Sequence, residues 1–257
     1  MRTLAILRFF MLFVLLLSPK LFANTLSNNF LITSKSLGYD LQYRVHVPTN
    51  LDTSKSYKTL YVVDGQSFLF NGKLHEVINS NISNKNIEPI ISVFVDSRDP
   101  HNLTLNRRND QFMCNPKYAA FFINELLPQI QRDYPSSNKR EDNVIMGVSF
   151  GGLNAACFGL MIDDYFGGLA MFSPANTEML KVIRKSYNKA KPKPAQVFIS
   201  FGTKNDNILA GRRFKDSLEK LDFDVHYFEN NEGHNWKNWL PLLDDMLKVF
   251  FTKQSPS

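Results

Sequence analysis

Three residue types, met in one order along the chain, could together transfer an acyl group. A serine bracketed by glycines, Gly147-Val148-Ser149-Phe150-Gly151-Gly152, follows the apolar run Asn143 to Met146 and leads into a second apolar stretch from Leu153. This is the layout of a nucleophile elbow, in which a strand turns into a helix within two or three residues and presents the central hydroxyl. Such a turn strains the backbone at Ser149, and Gly147, Gly151 and Gly152 remove the side chains that would collide around it. The hydroxyl also needs a base, and the base needs a carboxylate to fix its tautomer. Only His226 and His234 follow Ser149. His226 falls inside an apolar stretch, where a structural role is expected, whereas His234, in Asn231-Glu232-Gly233-His234-Asn235-Trp236, falls just beyond it, where the base belongs. Asp206, in Gly202-Thr203-Lys204-Asn205-Asp206-Asn207, is the expected acid. The same residue could cap a helix, and Glu229 and Glu232 are the substitutes.

The oxyanion formed during acyl transfer needs two backbone N–H donors. Phe150, the residue after the nucleophile, supplies one by position. Gln66, in Val63-Asp64-Gly65-Gln66-Ser67, is the candidate for the other, with Gly65 allowing close approach; an ordinary Asp-Gly turn is the competing reading.

These residues need a frame. Asn29 to Ser36 and Leu41 to Pro48 read as an antiparallel hairpin, whose second strand alternates apolar residues with Gln42, Arg44 and His46 and so leaves one face wet. Lys58 to Gly65, Pro89 to Asp96, Asn143 to Val148, Gly167 to Pro174, Ala195 to Gly202 and Asp224 to Glu229 are mostly apolar runs of strand length. Between several of them lie helical stretches: Asn115 to Tyr134, divided or kinked at Pro128, then Thr177 to Ala190 and Asn207 to Leu221. Trp236 to Phe250 closes the series. Apolar strands alternating with helices predict an α/β protein with a mostly parallel sheet of about eight strands, covered on both faces. Only about twenty residues separate Ser173-Pro174 from the strand at Ala195, room for one helix and no cap domain. The site should therefore be open, walled by Trp236 and by the polar stretch Ser97 to Pro116, which runs without clear periodicity and reads as a loop.

Composition sets the outer limits. With 257 residues, 44% of them hydrophobic, and no repeat or Pro/Gly-rich linker, residues 24–257 read as one domain. Residues 1–23 read as a signal peptide: Arg2 and Arg8 precede an apolar run from Phe9 to Leu17 that is too short for a comfortable membrane span, and Leu21-Phe22-Ala23 offers a cleavage site. Export to the periplasm or the medium is expected, with no membrane span after cleavage. Loss of Arg2, Arg8 and Lys20 lowers the formal charge from +6 to about +3, too dispersed for nucleic acid; the basic cluster Lys181 to Lys193 reads as a solvated helix face. Cys157 reads as a core thiol on the helix behind the elbow, with a disulfide to Cys114 as the alternative. No zinc spacing, phosphate loop or dinucleotide fingerprint is present, so no metal or other cofactor is expected.

The motifs Tyr61-Val62-Val63-Asp64-Gly65-Gln66, Asn124-Glu125-Leu126-Leu127-Pro128, Gly147-Val148-Ser149-Phe150-Gly151-Gly152 and Gly233-His234-Asn235-Trp236-Lys237-Asn238-Trp239 resemble those of a family of esterases. It includes enterochelin and related siderophore esterases, esterase D and feruloyl esterase modules, with mycolyltransferases as distant relatives. The resemblance implies an α/β-hydrolase fold, Ser149, His234 and Asp206 as catalytic triad, Phe150 and Gln66 as oxyanion donors, and ester hydrolysis as the reaction. Siderophore esterases also carry an arginine before the long helix, which Arg107 or Arg108 would match; with Trp236 these are the candidate substrate contacts. The expected substrate is a small-molecule, glycan or siderophore ester. An acyltransferase using the same triad, or a non-catalytic binding scaffold, are the alternative functions.

Overall fold

The computed structural model describes residues 25–253, so the expected signal peptide lies outside the described residues. The described residues form ten strands: β1 (Phe30–Ser34), β2 (Tyr39–His46), β3 (Thr59–Val62), β4 (Ile91–Asp96), β5 (Arg98–Asp99), β6 (Asn102–Asn106), β7 (Asn143–Val148), β8 (Gly168–Phe172), β9 (Gln196–Gly202) and β10 (Asp224–Asn230). Eight of them make one sheet in the order β1-β2-β4-β3-β7-β8-β9-β10. From β4 to β10 every neighbour is parallel, while β1 and β2 join as an antiparallel hairpin at one edge. Strand β3 lies between β4 and β7, so the chain reverses its direction of travel across the sheet there. Ligands of open α/β sheets bind beyond the carboxyl ends of strands at such a switch point.

The apolar runs are continuous because both sheet faces are buried. Tyr61, Ile145, Met171 and Ile199 face one core, closed by helices α4 (Pro116–Phe121), α6 (Phe150–Met161), α7 (Thr177–Ala190) and α8 (Ile208–Glu219). Leu60, Val62, Met146, Phe172 and Phe198 face the other, closed by α1 (Gly65–Phe70), α2 (Leu74–Ser83) and α10 (Leu243–Phe251). Helix α6 runs between strands and helical layer, and all but its ends are buried. Pro128 divides the long helical stretch as expected: α4 gives way to a wider π-turn over Phe122–Leu126, and α5 (Leu127–Asp133) restarts with the proline in its first turn, where no amide hydrogen is required.

The structure corrects three expectations. Strand β2 has no wet face: Gln42 and His46 are buried. It is an interior strand, and residues 25–27 run antiparallel beside its end, with Val47 N–H donating to Thr25 O at 2.7 Å and Ser27 N–H to Val45 O at 2.9 Å. Gln42 Nε2 donates instead to Asp96 and His46 Nε2 to Asn79, while His46 Nδ1 is buried with no partner among the described residues. Cys157 is buried in α6 but is not a free thiol, since it forms a disulfide with Cys114, with a Cα–Cα distance of 5.1 Å. The Ser97–Pro116 stretch is not irregular throughout: β5 and β6 pair as a small hairpin and α3 (Arg108–Phe112) follows. The five residues of β6 are exposed, so no buried face imprints a period on them.

Burial, reinforced by neighbouring His75, lowers the His46 pKa from 6.5 to about 4. The unfolded chain therefore takes up a proton below pH 6.5 that the folded chain refuses until about pH 4. The stability lost over that window is on the order of 3 kcal/mol. Urea unfolding at pH 7 and pH 4.5 should show this loss in the wild type and a smaller one in His46→Gln. Opening the disulfide, which spans 43 residues, should cost about 4 kcal/mol on the chain-entropy account; the check is the unfolding midpoint of Cys114→Ser/Cys157→Ala.

Candidate active site

Strand β7 delivers Ser149 and α6 carries the chain away from it. Ser149 has φ 57° and ψ −119°, a conformation that non-glycine residues avoid. It is held there on both sides: its N–H donates to Phe172 O at 2.8 Å, and its own carbonyl accepts from Leu153 at 3.0 Å and Ala175 at 3.2 Å. Gly147 is obligatory, because a Cβ there would lie 2.2 Å from the Gly151 carbonyl carbon.

His234 lies beyond β10, and its Nε2 is 2.9 Å from Ser149 Oγ. Its other nitrogen, Nδ1, is 2.5 Å from Asp206 Oδ1, so with Nδ1 protonated the free lone pair on Nε2 faces the serine. Asp206 does not cap α8; Asn207 occupies that position. The Asp206 side chain is fully buried, and its second oxygen accepts from Ser173 Oγ at 2.5 Å, Gly202 N–H at 2.6 Å and Asn238 Nδ2 at 3.1 Å. Every polar neighbour is thus a donor, the environment an ionised carboxyl requires. Ser173 Oγ in turn accepts from Trp239 Nε1 at 2.8 Å. The loop bearing the acid and the loop bearing the imidazole are stitched together, with Lys204 N–H donating to Glu232 O. A Cβ at Gly202 would lie 2.1 Å from that same oxygen. An assembly of this kind can draw the serine proton onto an imidazole whose developing charge is already balanced.

Of the other acids and bases considered, Glu229 and His226 are engaged elsewhere. Glu229 is held by both Arg212 and Tyr227, which lower its pKa, the arginine first. His226 sits on β10 beside Asp224. Ser173, Asn238 and Trp239 are functional neighbours that reading the chain for acids and bases passes over, although two of them lie in the stretch Gly233 to Trp239.

A cleft of about 290 Å3 opens over Ser149, lined by Asp64, Ser67, Asn106, Arg108, Val148, His234, Trp236 and Trp239. Gln66 and Phe150 are the immediate chain neighbours of Ser67 and Ser149. Among the described residues neither of their backbone N–H groups donates to a carbonyl or side chain. Trp236 stands edge-on against Phe68 and Trp239, with centroids 5.3 and 5.4 Å apart. The two arginines separate. Arg108 reaches the cleft, while Arg107 turns to Asp99, Nη2 to Oδ2 2.7 Å, and lies 4.4 Å over the Tyr39 ring; Arg107 is not among the residues lining the cleft. Larger hollows lie at the amino ends of β7 to β10 (about 760 Å3) and beside α6 (about 470 Å3), and none of Ser149, His234 or Asp206 lines them.

Ser173→Ala deletes one donor to the buried Asp206 and leaves Trp239 Nε1 without its acceptor. A loss of about 1–3 kcal/mol in urea unfolding is expected, with Trp239→Phe, which keeps the Ser173–Asp206 bond, costing less.

Comparison with known proteins places the chain. The family model Esterase, described as "Putative esterase", matches residues 34–250. The uncharacterised protein YjcH of Bacillus subtilis is 25% identical over 229 residues, covering 84% of this chain and 93% of its own. The enterobactin esterase FES from Shigella flexneri, in the structure determined with enterobactin, superposes with a TM-score of 0.75 at 19% identity, over 87% of this chain and 58% of its own. A ferulic acid esterase superposes with a TM-score of 0.68 at 17% identity, over 88% of this chain and 99% of its own. The protein thus spans little more than half of the first of these structures and nearly all of the second. The chain belongs to this esterase family and is a carboxylic ester hydrolase of the α/β-hydrolase fold.

Proposed function

We propose that the protein is an exported serine esterase that cleaves a bulky or polar ester, of the siderophore, feruloyl or acetyl type, through an acyl-enzyme on Ser149. The observation that carries this reading is the unbroken hydrogen-bond line from Asp206 through His234 to Ser149 Oγ. In the first half-reaction Oγ attacks the ester carbonyl carbon as His234 Nε2 takes its proton. The carbonyl oxygen becomes an oxyanion, received by the N–H groups of Phe150 and Gln66. As the intermediate collapses, Nε2 returns that proton to the departing alcohol, leaving the acyl group on Ser149. Water then repeats the attack with the same proton path, releasing the acid and restoring the hydroxyl.

The substrate class rests on the cleft. It is shallow, and the connection from β8 to β9 holds only α7, so a substituent larger than about 290 Å3 can extend into solvent. Trp236 offers an aromatic wall that suits a planar ring. The ferulic acid esterase, matched over nearly its whole length, and the FES structure solved with enterobactin support these ester types. Export is supported by the charged and apolar order of residues 1–23 and by the Cys114–Cys157 disulfide, a bond that persists in oxidising compartments.

The test is hydrolysis of p-nitrophenyl acetate and butyrate by the chain from Asn24, followed by fluorophosphonate labelling and mass spectrometry. Ser149→Ala should abolish both turnover and labelling, and Asp206→Asn should lower kcat by ~10⁴-fold. Turnover that survives Ser149→Ala, or a label on another residue, would remove Ser149 from the role.

A further inference from the structure

Asp64 occupies the N-cap position of α1 but does not act as a cap. An aspartate there ordinarily takes extended backbone angles and turns its carboxylate onto the N–H of the second or third helical residue, here Gln66 or Ser67. Asp64 instead has φ 54° and ψ 35°, and makes no side-chain capping bond. Its carboxylate is pulled the other way. Arg108 grips it with two prongs, Nε to Oδ1 3.2 Å and to Oδ2 3.1 Å and Nη2 to Oδ2 2.6 Å, while Ser97 Oγ donates to Oδ1 at 3.0 Å. The Asp64 side chain is 4% exposed. Local preference therefore favours a capping carboxylate, and a tertiary ion pair overrides it.

The consequence falls on the oxyanion hole. If Asp64 capped α1 in the ordinary way, a carboxylate would occupy the Gln66 N–H and put a negative charge where the reaction itself must place one. The surrounding contacts hold the same arrangement. The Gln66 side chain is tied back to Ser97, Nε2 to Oγ 3.1 Å, which leaves its main-chain N–H as the group available to the cleft. Gly65 fixes the loop on β4, since a Cβ there would lie 2.5 Å from the Phe94 carbonyl carbon. A Cβ at Gly151 would lie 3.5 Å from Asp64 Oδ2, so this carboxylate packs against the first turn of α6, which carries the other donor, Phe150. Arg108 is itself seated 5.6 and 5.5 Å from the Phe112 and Phe150 ring centroids.

We infer that Arg108 is a positioning residue for the oxyanion hole: it holds the Asp64 carboxylate off the Gln66 N–H and so keeps that donor free for the substrate. The inference rests on the proposed role of Gln66 in acyl transfer. It assigns Arg108, which lines the cleft, a task directed at the enzyme rather than at an anionic group of the substrate.

A neutral ester separates the two. With p-nitrophenyl butyrate, and with Ser149→Ala as the blank, Arg108→Met is expected to lower kcat ~100-fold, the effect of losing one oxyanion donor, while KM stays within about twofold. Arg108→Met/Asp64→Gly should recover at least ~10-fold of that loss, because glycine accepts a positive φ and has no carboxylate to place on Gln66. Arg108→Lys, which keeps the charge without the two-pronged grip, should fall between wild type and Arg108→Met in kcat, and it stands in if the methionine variant does not fold. A raised KM at unchanged kcat, or a double variant no faster than Arg108→Met, would overturn the inference. The second readout needs no turnover. In ¹⁵N-labelled protein the Gln66 amide proton should move downfield in Arg108→Met, or in Arg108→Lys, as the released carboxylate accepts from it. An unmoved Gln66 amide overturns the inference even where the wild type is no more active than the Ser149→Ala blank, a result that would instead sink the hydrolytic reading.

Discussion

A carboxylate shut away from water has to be matched donor for donor, and Asp206 sets that condition for the top edge of the sheet. Stripping an ion of solvent without compensation costs several kcal/mol. The compensation comes from Ser173 beyond β8, Gly202 at the end of β9, His234 beyond β10 and Asn238 near the start of the final helical segment. None of these segments supplies enough donors alone. The buried charge is satisfied only when all of them have docked, so completing the fold and aligning His234 with Ser149 are one event. The Trp239 indole extends the requirement by fixing the Ser173 hydroxyl, which is why the chain invests an aromatic residue behind the acid.

Much of this frame was legible from the residues. A strand buried on both faces has to be apolar throughout, so β3, β4, β7, β8 and β9 announced themselves as runs, and the lengths between them left room for helices and no cap. The elbow was legible because a positive φ with a helix beginning at once can be built only with glycines close by. Asp206 and His234 could be anticipated because each follows a strand end, and the structure brings both to Ser149.

What escaped was whatever depended on a partner distant in sequence. Gln42 and His46 read as solvent-facing since nothing in β2 reveals that Asn29 and Asp96 will engage the one and Asn79 of α2 the other. The disulfide joins residues 43 apart, and spacing alone does not bring two thiols together. Arg107 and Arg108 are adjacent and chemically alike, yet one is claimed by Asp99 on the outer hairpin and the other by Asp64 at the cleft. That division is set by the hairpin's path over the surface, which its exposed residues do not encode in any period.

The bond between Cys114 and Cys157 has a consequence for how molecules enter and leave. It fastens the segment that carries Asn106 and Arg108 over the cleft to α6, the helix that begins at Ser149. A wall anchored covalently to the helix it overhangs is a fixed post and not a swinging gate. An ester is then fitted against a wall whose base cannot part from α6.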